Sequence, residues 1–321
     1  MSDSLHLLMK HANQDPNGNS LTMSSVTRWS AECVLDAKAG LGEGPVWWAE
    51  QNCLLWVDIE ACRVGIFDPA TRHNRWFDVG SHVGCVTPTI EGDLLVACSN
   101  GFYRFDIANG ERTAIEDPEA SKAFNRFNDG KCDPWGRFWA GTMAYDFSSE
   151  AGSLYRLDHS GQIECMLTHV SISNGLAWDQ EVGIFYYIDS PTLKVQIFTM
   201  SKSGQLGEPL GSCIQIPPEW DSFPDGMSLD QEGMLWIALF GGSRVARYDP
   251  RSGELLGLVD LPCRQVTSCC FGGPQLDQLF ITTARREMTH EQCNQEPLAG
   301  GLFVCDVKIA GQASYSFLSL A

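Results

Sequence analysis

Pro45-Val46-Trp47-Trp48, Leu54-Leu55-Trp56-Val57-Asp58, Arg63-Val64-Gly65-Ile66-Phe67-Asp68-Pro69 and Asn74-Arg75-Trp76-Phe77 are four apolar runs of strand length, separated by turn residues. Runs of this length bounded by Gly, Asn and Asp read as short antiparallel strands. The pattern then repeats. A second copy begins near Thr87, with Leu94-Leu95-Val96-Ala97 and Gly101-Phe102-Tyr103-Arg104-Phe105. A third begins near Asn128, a fourth at Asn174, a fifth at Asp225 and a sixth near Ser268. Starts about 40–50 residues apart, each followed by about four strands, are the period of propeller blades. The chain is therefore expected to be all-β, a six-bladed β-propeller. The sixth copy is one strand short, and Ala31-Glu32-Cys33-Val34-Leu35 is unclaimed. That N-terminal strand is expected to complete the last blade and close the ring, which removes exposed sheet edges. Helical periodicity is weak, and Glu119 to Phe124 is at most a turn of helix. Gly207-Glu208 and Gly253-Glu254 read as outer hairpin turns.

Residues 26–321 are read as a single domain, and 1–25 as a disordered leader, polar and without the apolar core of a secretory signal. The net charge of −18 argues against nucleic acid or an anionic membrane surface as a partner, because both need basic patches. No apolar run approaches a membrane span. Thirteen cysteines, an odd number with no CxxC pair, read as free thiols, mostly buried, of a cytoplasmic protein.

Four copies open on a carboxylate or amide followed by glycine: Glu43-Gly44, Asp129-Gly130, Asn174-Gly175 and Asp225-Gly226. In a propeller the first strand of each blade lines the central channel. Residues far apart in sequence then converge at these starts, and glycine lets the backbones crowd the axis. Two carboxylates and an amide oxygen from Glu43, Asn174 and Asp225 would make an oxygen-only set suited to a hard divalent cation. Each dipeptide alone is also ordinary turn text. In the third copy, Arg126 and Asn128 alternate with Asp129, so only one of these two faces can look into the channel. No Gly-x-Ser-x-Gly elbow and no HExxH motif is present. His82 lies near the second blade's start, where a surface or core role competes with a place at the pocket edge. Trp47, Trp56, Trp139 and Trp236 sit mid-strand, as inter-blade core does.

Several phrases in order carry a resemblance. They are Leu41-Gly42-Glu43-Gly44-Pro45, Asn125-Arg126-Phe127-Asn128-Asp129-Gly130-Lys131, Ala140-Gly141-Thr142-Met143, Ser173-Asn174-Gly175-Leu176-Ala177-Trp178, Tyr186-Tyr187-Ile188-Asp189-Ser190, Pro224-Asp225-Gly226-Met227 and Phe271-Gly272-Gly273-Pro274. From about Val34 to Gly311 the chain resembles the SMP-30/gluconolactonase, or regucalcin-like, family of six-bladed propeller lactonases. The resemblance implies one divalent metal ion, from Ca, Zn, Mn, Mg and Fe with Ca and Zn foremost, held by Glu43, Asn174 and Asp225. It implies that Arg126 and Asn128 contact a sugar lactone. A family Glu after Gly-Thr-Met falls here on Asp146, one methylene shorter, as a third substrate contact. The function expected is a metal-dependent hydrolase that opens an aldonolactone to the sugar acid, with Asp225 as general acid/base. The alternatives are a calcium-binding regulatory protein without catalysis, or an esterase or organophosphate hydrolase on the same site.

Overall fold

A computed structural model describes residues 26–319; the proposed leader lies outside the described residues. Six sheets of mainly antiparallel strands form the described chain, and, two N-terminal strands aside, the first strand of each is the innermost. The inner strands are Gly42–Trp48, Val83–Pro88, Asn125–Cys132, Ser173–Asp179, Phe223–Leu229 and Val266–Gly272, in blades one to six. Each contacts the inner strand of the next blade, and the sixth contacts the first, which closes a ring. The fold is a six-bladed β-propeller.

Closure follows the sequence expectation. Glu32–Leu35 pairs antiparallel with Leu302–Asp306 and supplies the outermost strand of blade six. One strand was not legible. Thr27–Ser30 runs parallel to Glu254–Asp260 as a fifth strand of blade five, so the N-terminal text staples two blades instead of one. Three other readings need correction. Blade two starts at Val83, before Thr87, because Val83-Gly84-Cys85 is itself paired. Gly207 and Glu208 lie within the strand Leu206–Gln215 and not in a turn. A six-residue helix, His290–Gln295, interrupts blade six; Thr289 and Gln292 cap it reciprocally, a Thr-x-x-Gln signal present in the sequence.

Inner strands are buried along almost their whole length, whereas outer strands such as His73–Asp78 alternate with solvent. The core lies between blades. Trp236 packs edge-on against Phe271 of blade six, Trp139 against Trp178 of blade four, and Trp47 stacks on Phe280 of blade six. Trp56, Trp139 and Trp236 are fully buried. At about 25 cal/mol per Å², each such indole removes water-exposed area worth about 4–6 kcal/mol, an upper bound. The indole N–H groups are also satisfied: Trp139 and Trp236 donate to Asp133 and Asp230, carboxylates that also accept from Arg137 and Arg247.

The end of the ring away from the strand starts is crossed by residues 310–318. Gln312 N donates to Leu229 O, Gly311 N to Leu276 O, Phe317 N to Pro88 O and Leu318 N to Gly136 O. Ser314 Oγ accepts from Trp47 N, and Tyr315 accepts from Gln180. All six blades are thereby tied to one segment. All thirteen cysteines are free; eight are buried and only Cys165 is exposed. Among the described residues no helix is long and apolar enough to cross a membrane.

Candidate metal centre and pocket

The six inner strands share one irregularity. Near its start, each slips register against its neighbour, between Glu43 and Val46, Val83 and Cys85, Phe127 and Gly130, Asn174 and Leu176, Pro224 and Met227, and Val266 and Ser268. A bulge re-aims the side chains beside it. Here the bulges sit where the polar-Gly phrases stand. The glycines make room for the crowding: a Cβ on Gly175 would lie 2.7 Å from Asp225 O, and one on Gly226 would strike Ser268.

Glu43, Arg126, Asn128, Asn174 and Asp225 all line one cavity of about 350 Å³ at this end of the axis. All five are buried. Asp129 does not line it; its carboxylate turns back onto Gly130 N at 2.7 Å. Of the two faces left open in blade three, the Arg126/Asn128 face is the one at the cavity.

A chain of hydrogen bonds fixes the floor. Arg126 Nη1 donates to Asn128 Oδ1 at 2.8 Å and to Phe127 O at 2.9 Å. Asn128 Nδ2 donates to Asn174 Oδ1 and to Ser173 O, both at 2.9 Å. Asn174 Nδ2 donates to Ser190 Oγ at 2.8 Å, and Ser190 Oγ to Pro224 O at 2.6 Å. The Asn174 carboxamide is thus oriented from both sides, and its oxygen keeps a second lone pair. Ser190 stands in the Tyr-Tyr-Ile-Asp-Ser phrase, but its linking role was not legible.

Arg126 offsets only part of the negative charge at the floor. Glu43 and Asp225 lie within reach of a shared hydrogen bond. Burial, and next the charge of Asp129, pushes the Glu43 carboxyl up to about 8. Burial, followed by Glu43 and Asp129, holds Asp225 well above the carboxylate range. Burial also brings the Arg126 guanidinium down to about 10, with Arg286 nearby acting in the same direction. Oδ1 of Asp225 is buried without a hydrogen-bond partner. A buried orphan oxygen beside a second carboxylate and an oriented amide is what an oxygen-coordinated divalent cation would satisfy. The donor set fits such an ion. Among the described residues no group of three or more His, Cys, Asp or Glu side chains is arranged as a metal site, so the amide is needed to complete the set.

Asp146 is placed differently from the other expected contacts. It is exposed, does not line the cavity, and accepts from Ser148 N at 3.0 Å and Ser148 Oγ at 2.7 Å. Its neighbour Phe147 lines the cavity instead, with φ at +60°. His82 is absent from the lining and meets the Tyr145 hydroxyl at 2.9 Å. Gln265 and Arg286 join the lining unannounced by any motif. Gln265 immediately precedes an inner strand, as other lining residues do.

The family model for the SMP-30/Gluconolactonase/LRE-like region matches residues 41–285. A Bacillus subtilis relative named "Putative sugar lactone lactonase YvrE" is 38% identical over 283 residues, 88% of this chain and 96% of that protein. Regucalcin of Pongo abelii is 37% identical over 302 residues, 92% of this chain and 99% of that protein. The solved structure of a calcium-binding protein, regucalcin, from Agrobacterium tumefaciens shares the fold with a TM-score of 0.87 at 23% identity, covering 92% of this chain and 99% of that one. By the family match and the two relatives, the chain belongs to the SMP-30/gluconolactonase/LRE-like family.

Proposed function

We propose that the protein is a metal-dependent lactonase that hydrolyses a sugar lactone to the open-chain sugar acid. The observation that carries this is the buried Glu43–Asp225 pair with the oriented Asn174 amide, facing a cavity that Arg126 and Asn128 also line. The two relatives' names, a sugar lactone lactonase and regucalcin, support lactone chemistry and a divalent cation.

Glu43, Asn174 and Asp225 would hold the cation. A divalent ion held there would supply polarisation of the ester carbonyl and a lowered pKa for water. The rest is the work of side chains. Asp225, which lines the cavity beside the place of the cation, takes a proton from the attacking water. Water oxygen bonds to the carbonyl carbon, the bond from that carbon to the ring oxygen breaks, and Asp225 returns the proton to the departing alkoxide. Arg126, braced by Asn128 Oδ1 and Phe127 O, keeps unused N–H groups for the lactone's oxygens. Asn128 holds both Arg126 and Asn174, so one amide sets the spacing between substrate and cation.

The ligand assignment is tested by metal content. Purified Glu43→Ala and Asn174→Ala variants, dialysed against calcium or zinc and measured by mass spectrometry, are expected to lose most of the bound ion. Full retention in both would overturn the assignment.

A further inference from the structure

The floor of the cavity is polar, and its walls are largely apolar, with Gln265, Arg286 and Glu287 as the polar part of the rim. Leu41, Met143, Ile172, Phe147, Phe223 and Phe240 all line it. Phe223 and Phe240 are register partners on adjacent strands of blade five, and Phe223 stands two residues before Asp225. Among the described residues, six large apolar side chains are exposed, and four belong to the loops and strand ends at this mouth: Phe124 at 81%, Phe223 at 50%, Phe147 at 47% and Tyr145 at 40%. Tyr145 N donates to Phe124 O, so those two are neighbours. An apolar patch continuous with a polar reactive floor marks a ligand site with an apolar portion to cover. The Asp146 carboxylate does not line the cavity. Asp146 faces Ser148, and the wall there is Phe147, with the Arg286 guanidinium 4.8 Å over its ring.

We propose that this centre has a second substrate class: lactones whose ring carries an alkyl or aryl substituent. The proposal rests on the lactonase reading. The ester group sits on the polar floor, and the substituent lies against Phe223, Phe240 and Phe147. Water adds to the carbonyl carbon, the acyl–oxygen bond breaks, the ring oxygen takes the proton, and the product is a hydroxy acid with an apolar tail. No oxidant or further reactant is needed.

The test uses the full chain loaded with calcium, zinc or manganese. Acid release is measured from three δ-lactones: the unsubstituted ring, the same ring with a four- or five-carbon alkyl chain, and an aldonolactone. Each buried methylene is worth about fourfold in kcat/KM. The alkyl lactone is therefore expected to exceed the bare ring at least about tenfold even if only part of its chain is covered. Phe223→Ser should lower that alkyl-to-bare ratio at least about tenfold, and Phe147→Ala should lower it in the same direction. Phe223 is half exposed, so its replacement leaves the fold intact, as a thermal melt would verify. If the aldonolactone is opened while the alkyl lactone is no better than the bare ring, the second class is refuted and the lactonase reading stands. A ratio unmoved by both variants refutes it equally. If no lactone of any kind is opened, the lactonase reading fails and the inference falls with it.

Discussion

Stripped of divalent ions, the protein should lose stability as pH rises, and Glu43 should account for much of the loss. Its carboxyl is pushed from the ordinary 4.5 up to about 8 by burial. The folded state therefore keeps a proton that the unfolded chain gives up. The contribution is fully present below pH 4.5 and is lost as pH rises toward 8, the reverse of a salt-bridged carboxylate. At about 1.4 kcal/mol per tenfold change in proton affinity, the complete effect is about 5 kcal/mol, of which about 3 develops between pH 5 and pH 8. Asp225 moves in the same direction. Thermal midpoints of chelator-treated protein should thus fall by roughly 6–12 °C over that range. Saturating calcium or zinc should remove most of the slope, because the ion takes over from the proton. Glu43→Gln should flatten the profile and melt higher than the wild type at pH 8 in chelator. The reasoning fails if the chelated wild type melts within about 2 °C from pH 5 to pH 8, or if Glu43→Gln keeps the wild-type slope.

Three further outcomes follow from named contacts. Asn128→Ala removes the donor that orients the Asn174 oxygen, so calorimetry should show divalent-ion affinity about ten- to a hundredfold weaker, although Asn128 is not itself a ligand. Asp146→Ala should change KM for an aldonolactone by no more than about twofold, since its carboxylate serves Ser148; steady-state kinetics beside Asn128→Ala would show which residue meets the substrate. Phe317→Ala, at the buried end of the segment that crosses the ring, should cost about 3–5 kcal/mol and lower the thermal midpoint while leaving kcat unchanged at 25 °C.

The ring was legible because each blade repeats the same hydrophobic text, and even its closure could be read from one unclaimed strand. Thr27–Ser30 escaped because it pairs in parallel with a strand far away in sequence, and nothing local signals such a partner. Residues 310–318 escaped for a related reason: they are irregular, and their backbone and side-chain hydrogen bonds go to six different blades. At the site, Glu43, Asn174 and Asp225 stood out as polar residues before glycine, in register. The sequence did not show the bulge that turns them inward, since strand alternation alone would have allowed Asp129 equally. Asp146 was carried over by position along the chain. Its side chain instead follows a local turn bonded to Ser148, and the apolar wall that replaces it is built from loops whose direction no periodicity encodes.

The central claim is hydrolysis at the Glu43–Asn174–Asp225 floor. Its most direct measurement is acid release from a panel of aldonolactones by chelator-stripped protein, with each divalent metal added back, for the wild type and Asp225→Ala. Metal-restored wild type should open at least one lactone at least about a thousandfold faster than Asp225→Ala, which lacks both a ligand and the proton carrier. Equal rates for the two proteins with every metal and every lactone would contradict the account.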